Sequence, residues 1–276
     1  MDFQAEYNNR ARVPEHPAII AGWERDAAAY RDTRIGHSEI GLRYGAHARQ
    51  TIDLFHPDTP DESRPLIVVI HGGYWRSLHP SSFSHWAAGA NAHGYSVAVL
   101  GYRLCPEVRV ADILADVRDA ALLLHRTKGR RMIACGHSAG GHLASTLVAA
   151  DWESMNVPTD LVRTGIGISG VFDLAPLIET EMNVELQLDA VSARAVSPAY
   201  WPVPTGVRFE AWVGGDESSE FLRQSRLLAD RWATAGATTR YEEIAGANHF
   251  TSPAGLADPA SPMVAALVAL AATTKA

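Results

Sequence analysis

The chain has 276 residues, 47% of them hydrophobic, with 24 Lys plus Arg against 31 Asp plus Glu for a formal charge of -7. That is enough apolar material for one large core, so a single domain over residues 1–276 is expected. The acidic balance, with no basic run that could track phosphates, excludes nucleic acid as an expected partner.

The first segment, MDFQAEYNNR, is polar and lacks the basic and apolar regions of a secretory signal. No apolar stretch of the chain reaches the ~20 residues of a membrane span, so the expectation is a cytoplasmic protein with no membrane partner. Residues 1–40 mix polar and aromatic positions, including Tyr7, Trp23 and Tyr30, and read either as a helical lead-in or as a flap over a pocket. From there on, short β-rich runs alternate with helical patterns, which predicts a mostly parallel sheet covered by helices. Strands are predicted over residues 50–55, 65–70, 96–100, 131–135, 165–169, 207–213 and 238–244. Helices are predicted over 110–125, 139–149, 219–235 and 261–273. Runs such as LIVVI and RMIAC are apolar at consecutive positions, as central strands buried on both faces require. Residues 171–202, with Pro176, Pro198 and Pro202, are too long for an ordinary connection and read as a small cap. Cys105 and Cys135 sit beside apolar segments outside any metal-binding spacing and read as reduced core residues; neither metal nor cofactor is expected.

The segment from Arg131 to Ala149 reads strand, then GHSAGG, then helix, and so places Ser138 at the centre of a Gly-Xaa-Ser-Xaa-Gly turn. A serine nucleophile on so sharp a turn needs small residues two before and two after it, and Gly136 and Gly140 supply them. The helix that follows aims its free N–H groups at the site, with Ala139 N–H as the natural oxyanion donor. Ser145 and Ser169 lack such a turn and read as surface or core hydroxyls. Upstream, LIVVIHGGYW ends a strand with His71, Gly72 and Gly73, whose backbone N–H groups can face a substrate carbonyl oxygen, while His71 reads as a structural hydrogen-bonder.

This strand, elbow and helix pattern marks the α/β-hydrolase fold, in which nucleophile, acid and base follow in that chain order. Only His142 and His249 lie beyond Ser138, and His142 is one helical turn past it, too close to swing round. His249, in AGANHF between a strand and the last helix, is therefore the expected base. The acid must leave the preceding strand, where VRFEAWVGGDESSEF offers both Asp216 and Glu217, and the residues alone do not separate them.

With those positions placed, the chain resembles the kynurenine formamidases (arylformamidases) of the α/β-hydrolase superfamily over most of its length. The resemblance rests on HGGYW at 71–75, CGHSAGGHLA at 135–144, DW at 151–152, SGVFDLAPL at 169–177 and EFLRQS at 220–225. HGG and GHSAGG alone also fit the hormone-sensitive-lipase-like esterases, whereas GVFDLxPL with EFxRQS is much more specific. The family run VGxxDSxEFxRQS, laid without a gap on Val213 to Ser225, puts its acidic position on Glu217, so the resemblance favours Glu217 over Asp216 although the residue type differs. GHSAGG in place of the GHSAGA of some members is a sterically mild departure. What the resemblance implies is hydrolysis of N-formyl-L-kynurenine to kynurenine and formate. Tyr74, Trp75, Phe172, Tyr200, Trp201 and Phe250 are the candidate walls for an aromatic amide or ester. A carboxylesterase with the same triad is the alternative, a catalytically silent binding module a more distant one, and a homodimer is left open.

Overall fold

A computed structural model describes residues 1–274. Three helices open the chain, α1 (Phe3–Tyr7), α2 (Asn9–Arg12) and α3 (His16–Thr33), followed by β1 (Ser38–Arg43), β2 (Thr51–Phe55) and β3 (Leu66–Ile70). A 3-10 helix over Pro80–Ala87 runs into α4 (Ala88–Ala92), then come β4 (Val97–Leu100), α5 (Val110–Lys128), β5 (Met132–His137), α6 (Ala139–Val148) and β6 (Val162–Ile168). Residues 171–202 hold short pieces only, including α7 (Asn183–Leu186) and α8 (Ala190–Ala195). The chain closes with β7 (Arg208–Gly214), α9 (Ser219–Thr234), β8 (Thr238–Ile244) and α10 (Pro262–Thr273).

The eight strands form one sheet in the order β1-β2-β4-β3-β5-β6-β7-β8. The pairs β1/β2 and β2/β4 are antiparallel and all the others parallel, so this is the α/β-hydrolase fold expected from the sequence. Every residue of β3 and β5 is buried, as continuous apolar runs covered on both faces must be. The alternation of side chains divides the core in two. Leu66, Val68 and Ile70 face the layer that contains α5, α6 and α9, and Ile67 and Val69 face the layer that contains α3 and α10.

Register is what assembles the site. Ile70 stands opposite both Leu100 and Gly136, Gly136 opposite Gly167, Ile168 opposite Trp212, and Gly214 opposite Ile244. The parallel strands therefore end together, and the loops carrying residues 71–73, 138, 217 and 249 all leave the same edge of the sheet.

Residues 1–40 are mostly helical, and their main element is the 18-residue α3. Its buried Trp23 packs on Phe83 at 5.5 Å between ring centroids, on Trp86 at 6.2 Å and on Phe250 at 6.0 Å. Both cysteines are buried and unpaired, with burial pushing the thiol of Cys105 up to about 11 and that of Cys135 up to about 12. Among the described residues no helix is long and apolar enough to cross a membrane.

Candidate active site

Ser138 sits between β5 and α6 with φ 57 and ψ -121, a backbone conformation that non-glycine residues rarely hold. The turn closes because its neighbours have no side chains. A Cβ on Gly136 would lie 2.1 Å from the Gly140 carbonyl oxygen, and one on Gly140 would lie 1.9 Å from that of Ile70. Gly72 approaches from the other side, where an added Cβ would be 2.9 Å from the Ser138 Cβ.

The orientation of the oxyanion-loop peptides follows from what their carbonyls do. Tyr102 Oη donates to the His71 carbonyl at 2.8 Å and to the Gly72 carbonyl at 3.2 Å, and His71 Nδ1 donates to the Gly72 carbonyl at 2.7 Å. In a trans peptide the N–H points opposite to the C=O, so the Gly72 and Gly73 N–H groups face away from this buried anchor. The Ser138 carbonyl likewise accepts the His142 N–H inside α6, which turns the Ala139 N–H outward from the helix start. His71 is the structural hydrogen-bonder the sequence suggested. It is fully buried, stacked on Tyr102 and Phe83, and burial pushes its pKa down to about 3, so the ring is neutral.

At the far side of the site, Glu217 Oε2 accepts from His249 Nδ1 at 2.6 Å, and the Glu217 side chain is wholly buried. A buried carboxylate is tolerable only when hydrogen bonds replace its hydration. Glu217 Oε1 accepts the Gly214 N–H at 2.8 Å and the hydroxyl of Ser169, which is itself within 2.8 Å of the Ser252 hydroxyl. Because a carboxylate only accepts, the His249 proton sits on Nδ1, leaving the Nε2 lone pair free. Asp216, by contrast, is exposed. His137 Nε2 donates to the His249 carbonyl at 2.8 Å and so ties the base loop to the elbow; burial drives its pKa well down.

Ser138, His249, Gly72 and Gly73 line one cavity of about 670 Å³, together with Tyr74 and Phe250. Trp75 and Phe172, also expected there, are corrected by the structure. Trp75 is fully buried and donates its indole N–H to His142 Nδ1 at 3.2 Å, while Phe172 is buried edge-on against Phe209. Tyr200 and Trp201 line a separate surface depression with Arg231 and Trp232.

The division between Tyr74 and Trp75 has a backbone cause. Arg76 N–H donates to the Gly73 carbonyl at 3.0 Å across a turn whose two central residues, Tyr74 and Trp75, have φ of 49 and 56. This strained turn sends Trp75 into the core and Tyr74 toward the amino-terminal helices, where its hydroxyl donates to the Tyr7 carbonyl at 2.7 Å and accepts from Asn9 at 3.2 Å.

Several cavity residues escaped the sequence reading. Asn9 comes from α2, Arg76 from the strained turn, and Met182 and Glu185 from the 171–202 segment, while Tyr7 and Trp23 come from the segment read as a lead-in or a flap over a pocket. Trp23 carried a usable signal, since Ile20, Trp23, Ala27 and Tyr30 recur at helical spacing. Ser169 carried none, because its role depends on which carboxylate it meets.

The pattern BD-FAE matches residues 52–184 of the chain. Kynurenine formamidase of Danio rerio is 26% identical over 219 residues, covering 77% of this chain and 74% of that one. Kynurenine formamidase of Drosophila melanogaster is 28% identical over 222 residues, covering 76% and 73%. A solved structure described as a putative thioesterase, from Silicibacter sp. TM1040, is 32% identical, covers 97% of this chain and 99% of its own, and superposes with a TM-score of 0.86. The chain has the α/β-hydrolase fold and is similar both to the kynurenine formamidases and to this putative thioesterase. Like these relatives, it is a hydrolase.

Proposed function

We propose that this hydrolase cleaves an aryl formamide, N-formyl-L-kynurenine, to L-kynurenine and formate by acyl transfer through Ser138. The observation that carries the reading is the buried His249–Glu217 pair, 2.6 Å apart, opening onto the cavity that Ser138 shares with the glycine loop. The choice of a formamide rests on the similarity to the Danio and Drosophila kynurenine formamidases.

In this reading Ser138 Oγ attacks the formyl carbon as His249 Nε2 takes its proton, and Glu217 stabilises the imidazolium. The oxyanion is held by the N–H groups of Gly72, Gly73 and Ala139. Collapse breaks the C–N bond while His249 returns the proton to the arylamine nitrogen, whose lone pair the ring delocalises. Water then attacks the formyl ester, losing its proton to His249, and formate leaves as Ser138 is regenerated. Tyr74 and Phe250 are the aromatic walls that remain of those expected, joined by Trp23.

A second reading, hydrolysis of a small carboxylic ester or thioester with the same residues, is favoured by the likeness to the Silicibacter protein. Relative kcat/KM on N-formylkynurenine and on a p-nitrophenyl ester of similar size separates the two. A strong preference for the ester rejects the formamidase reading.

A further inference from the structure

The mouth of the cavity carries a pair of opposite charges that the acyl-transfer chemistry does not use. Arg76 Nη1 donates to Glu185 Oε1 at 2.6 Å, joining the turn that follows the glycine loop to α7 of the 171–202 segment, and both residues line the cavity. The side chains keep 32% and 39% of their exposure, so each still presents polar surface. Among the described residues this is the one hydrogen bond found for the Arg76 guanidinium, which has five N–H donors, and for the Glu185 carboxylate, which has two oxygens. The turn with its Arg76-to-Gly73 hydrogen bond places Arg76 one tight turn from the proposed oxyanion donors.

We infer that Arg76 and Glu185 form a subsite for a zwitterionic α-amino acid headgroup, Arg76 binding the carboxylate and Glu185 the ammonium. The inference rests on the formamidase reading for its substrate, whose ring carries, ortho to the formamide, a ketone side chain that ends in such a headgroup. Its physical ground is complementarity: a neutral ion pair with spare donors on one side and a spare acceptor on the other matches a neutral zwitterion. The same cavity supplies aromatic surface from Tyr7, Trp23, Tyr74 and Phe250 for the ring. A planar guanidinium also suits a carboxylate geometrically, because it can donate two parallel bonds.

Calorimetric titration of the intact enzyme with L-kynurenine and with 2-aminoacetophenone, the same aryl ketone without the amino acid, reads the subsite without turnover. The unaltered protein should bind kynurenine at least tenfold more tightly than the ketone, and Arg76→Gln and Glu185→Gln should each shrink that ratio several-fold. Comparing ratios within one variant cancels any loss of folded protein. A ratio near one in the unaltered protein, or a ratio unchanged in both variants, overturns the subsite. Parallel turnover of N-formylkynurenine keeps the two claims apart: selective kynurenine binding without turnover sinks the formamidase reading alone, and turnover with an unchanged ratio sinks the subsite alone.

Discussion

Replacing Glu217 by Gln separates the acid's charge from its shape. Glu217 Oε1 faces two donors, the Gly214 N–H at 2.8 Å and the Ser169 hydroxyl, while Oε2 faces His249 Nδ1. A Gln side chain of the same size keeps its oxygen toward Gly214, since flipping it would set its NH2 against that N–H. Its NH2 then faces Nδ1, which must become an acceptor, and the imidazole proton moves to Nε2. A base protonated on Nε2 cannot take the proton of Ser138. Losses from such a tautomer switch in serine triads run to about ten-thousandfold, or about 5 kcal/mol of barrier. The assay is kcat and kcat/KM on N-formylkynurenine for Glu217→Gln beside Asp216→Asn, with circular dichroism confirming that both variants fold. Asp216 is exposed, so its variant should stay within about threefold of the unaltered enzyme. If Glu217→Gln retained more than a tenth of the activity, or Asp216→Asn fell as far, the assignment of the acid would be refuted.

Other outcomes follow from the same geometry. Gly140→Ala puts a Cβ 1.9 Å from the Ile70 carbonyl oxygen and should destabilise the fold by about 3 kcal/mol or more, read as a lowered urea midpoint. His142 donates from Nε2 to the Val196 carbonyl at 2.7 Å and accepts the Trp75 indole N–H on Nδ1, so it must be neutral, and burial lowers its pKa from 6.5 to about 4. A depressed folded-state pKa means that this stabilisation is complete above about pH 6.5 and is lost as the pH falls toward 4. Unfolding free energy should therefore drop by about 2 kcal/mol from this residue between about pH 7 and pH 5, and His142→Gln should flatten that slope. Tyr74→Phe removes the hydroxyl that donates to the Tyr7 carbonyl and accepts from Asn9, and should cost about 1 kcal/mol in holding the amino-terminal wall. A KM raised several-fold with little change in Tm is the expected signature.

The central strands were legible because burial on both faces leaves an unbroken apolar run, and β3 differs from its predicted residues by one; the edge strand β8 has no such run, and its alternation of TTRYEEI still gave its residues. Strand β1 was not legible. It is an edge strand, SEIGLR, with a register shift between Glu39 and Leu42 and Gly41 at positive φ, so neither alternation nor an apolar run marks it. The helical stretch from Pro80 to Ala92 is masked in the same way by Pro80, its serines and Gly89. In the site, the Gly-Xaa-Ser-Xaa-Gly turn and the glycine loop were readable because steric necessity fixes residue type there. Which aromatics face the cavity was not readable. Tyr74 and Trp75 are adjacent and alike in composition, and only the left-handed turn decides that one faces the cavity and the other the core. Asp216 and Glu217 posed the same problem, and burial of one side chain beside His249 distinguishes them.

The central claim is that Ser138 is a nucleophile activated by the His249–Glu217 pair. Its most direct measurement is the rate and site of labelling by a fluorophosphonate probe, read by peptide mass spectrometry on the unaltered enzyme and on His249→Ala. The account predicts a single adduct on Ser138, formed orders of magnitude more slowly when His249 is removed. An unlabelled Ser138, or labelling at an undiminished rate without His249, would contradict it.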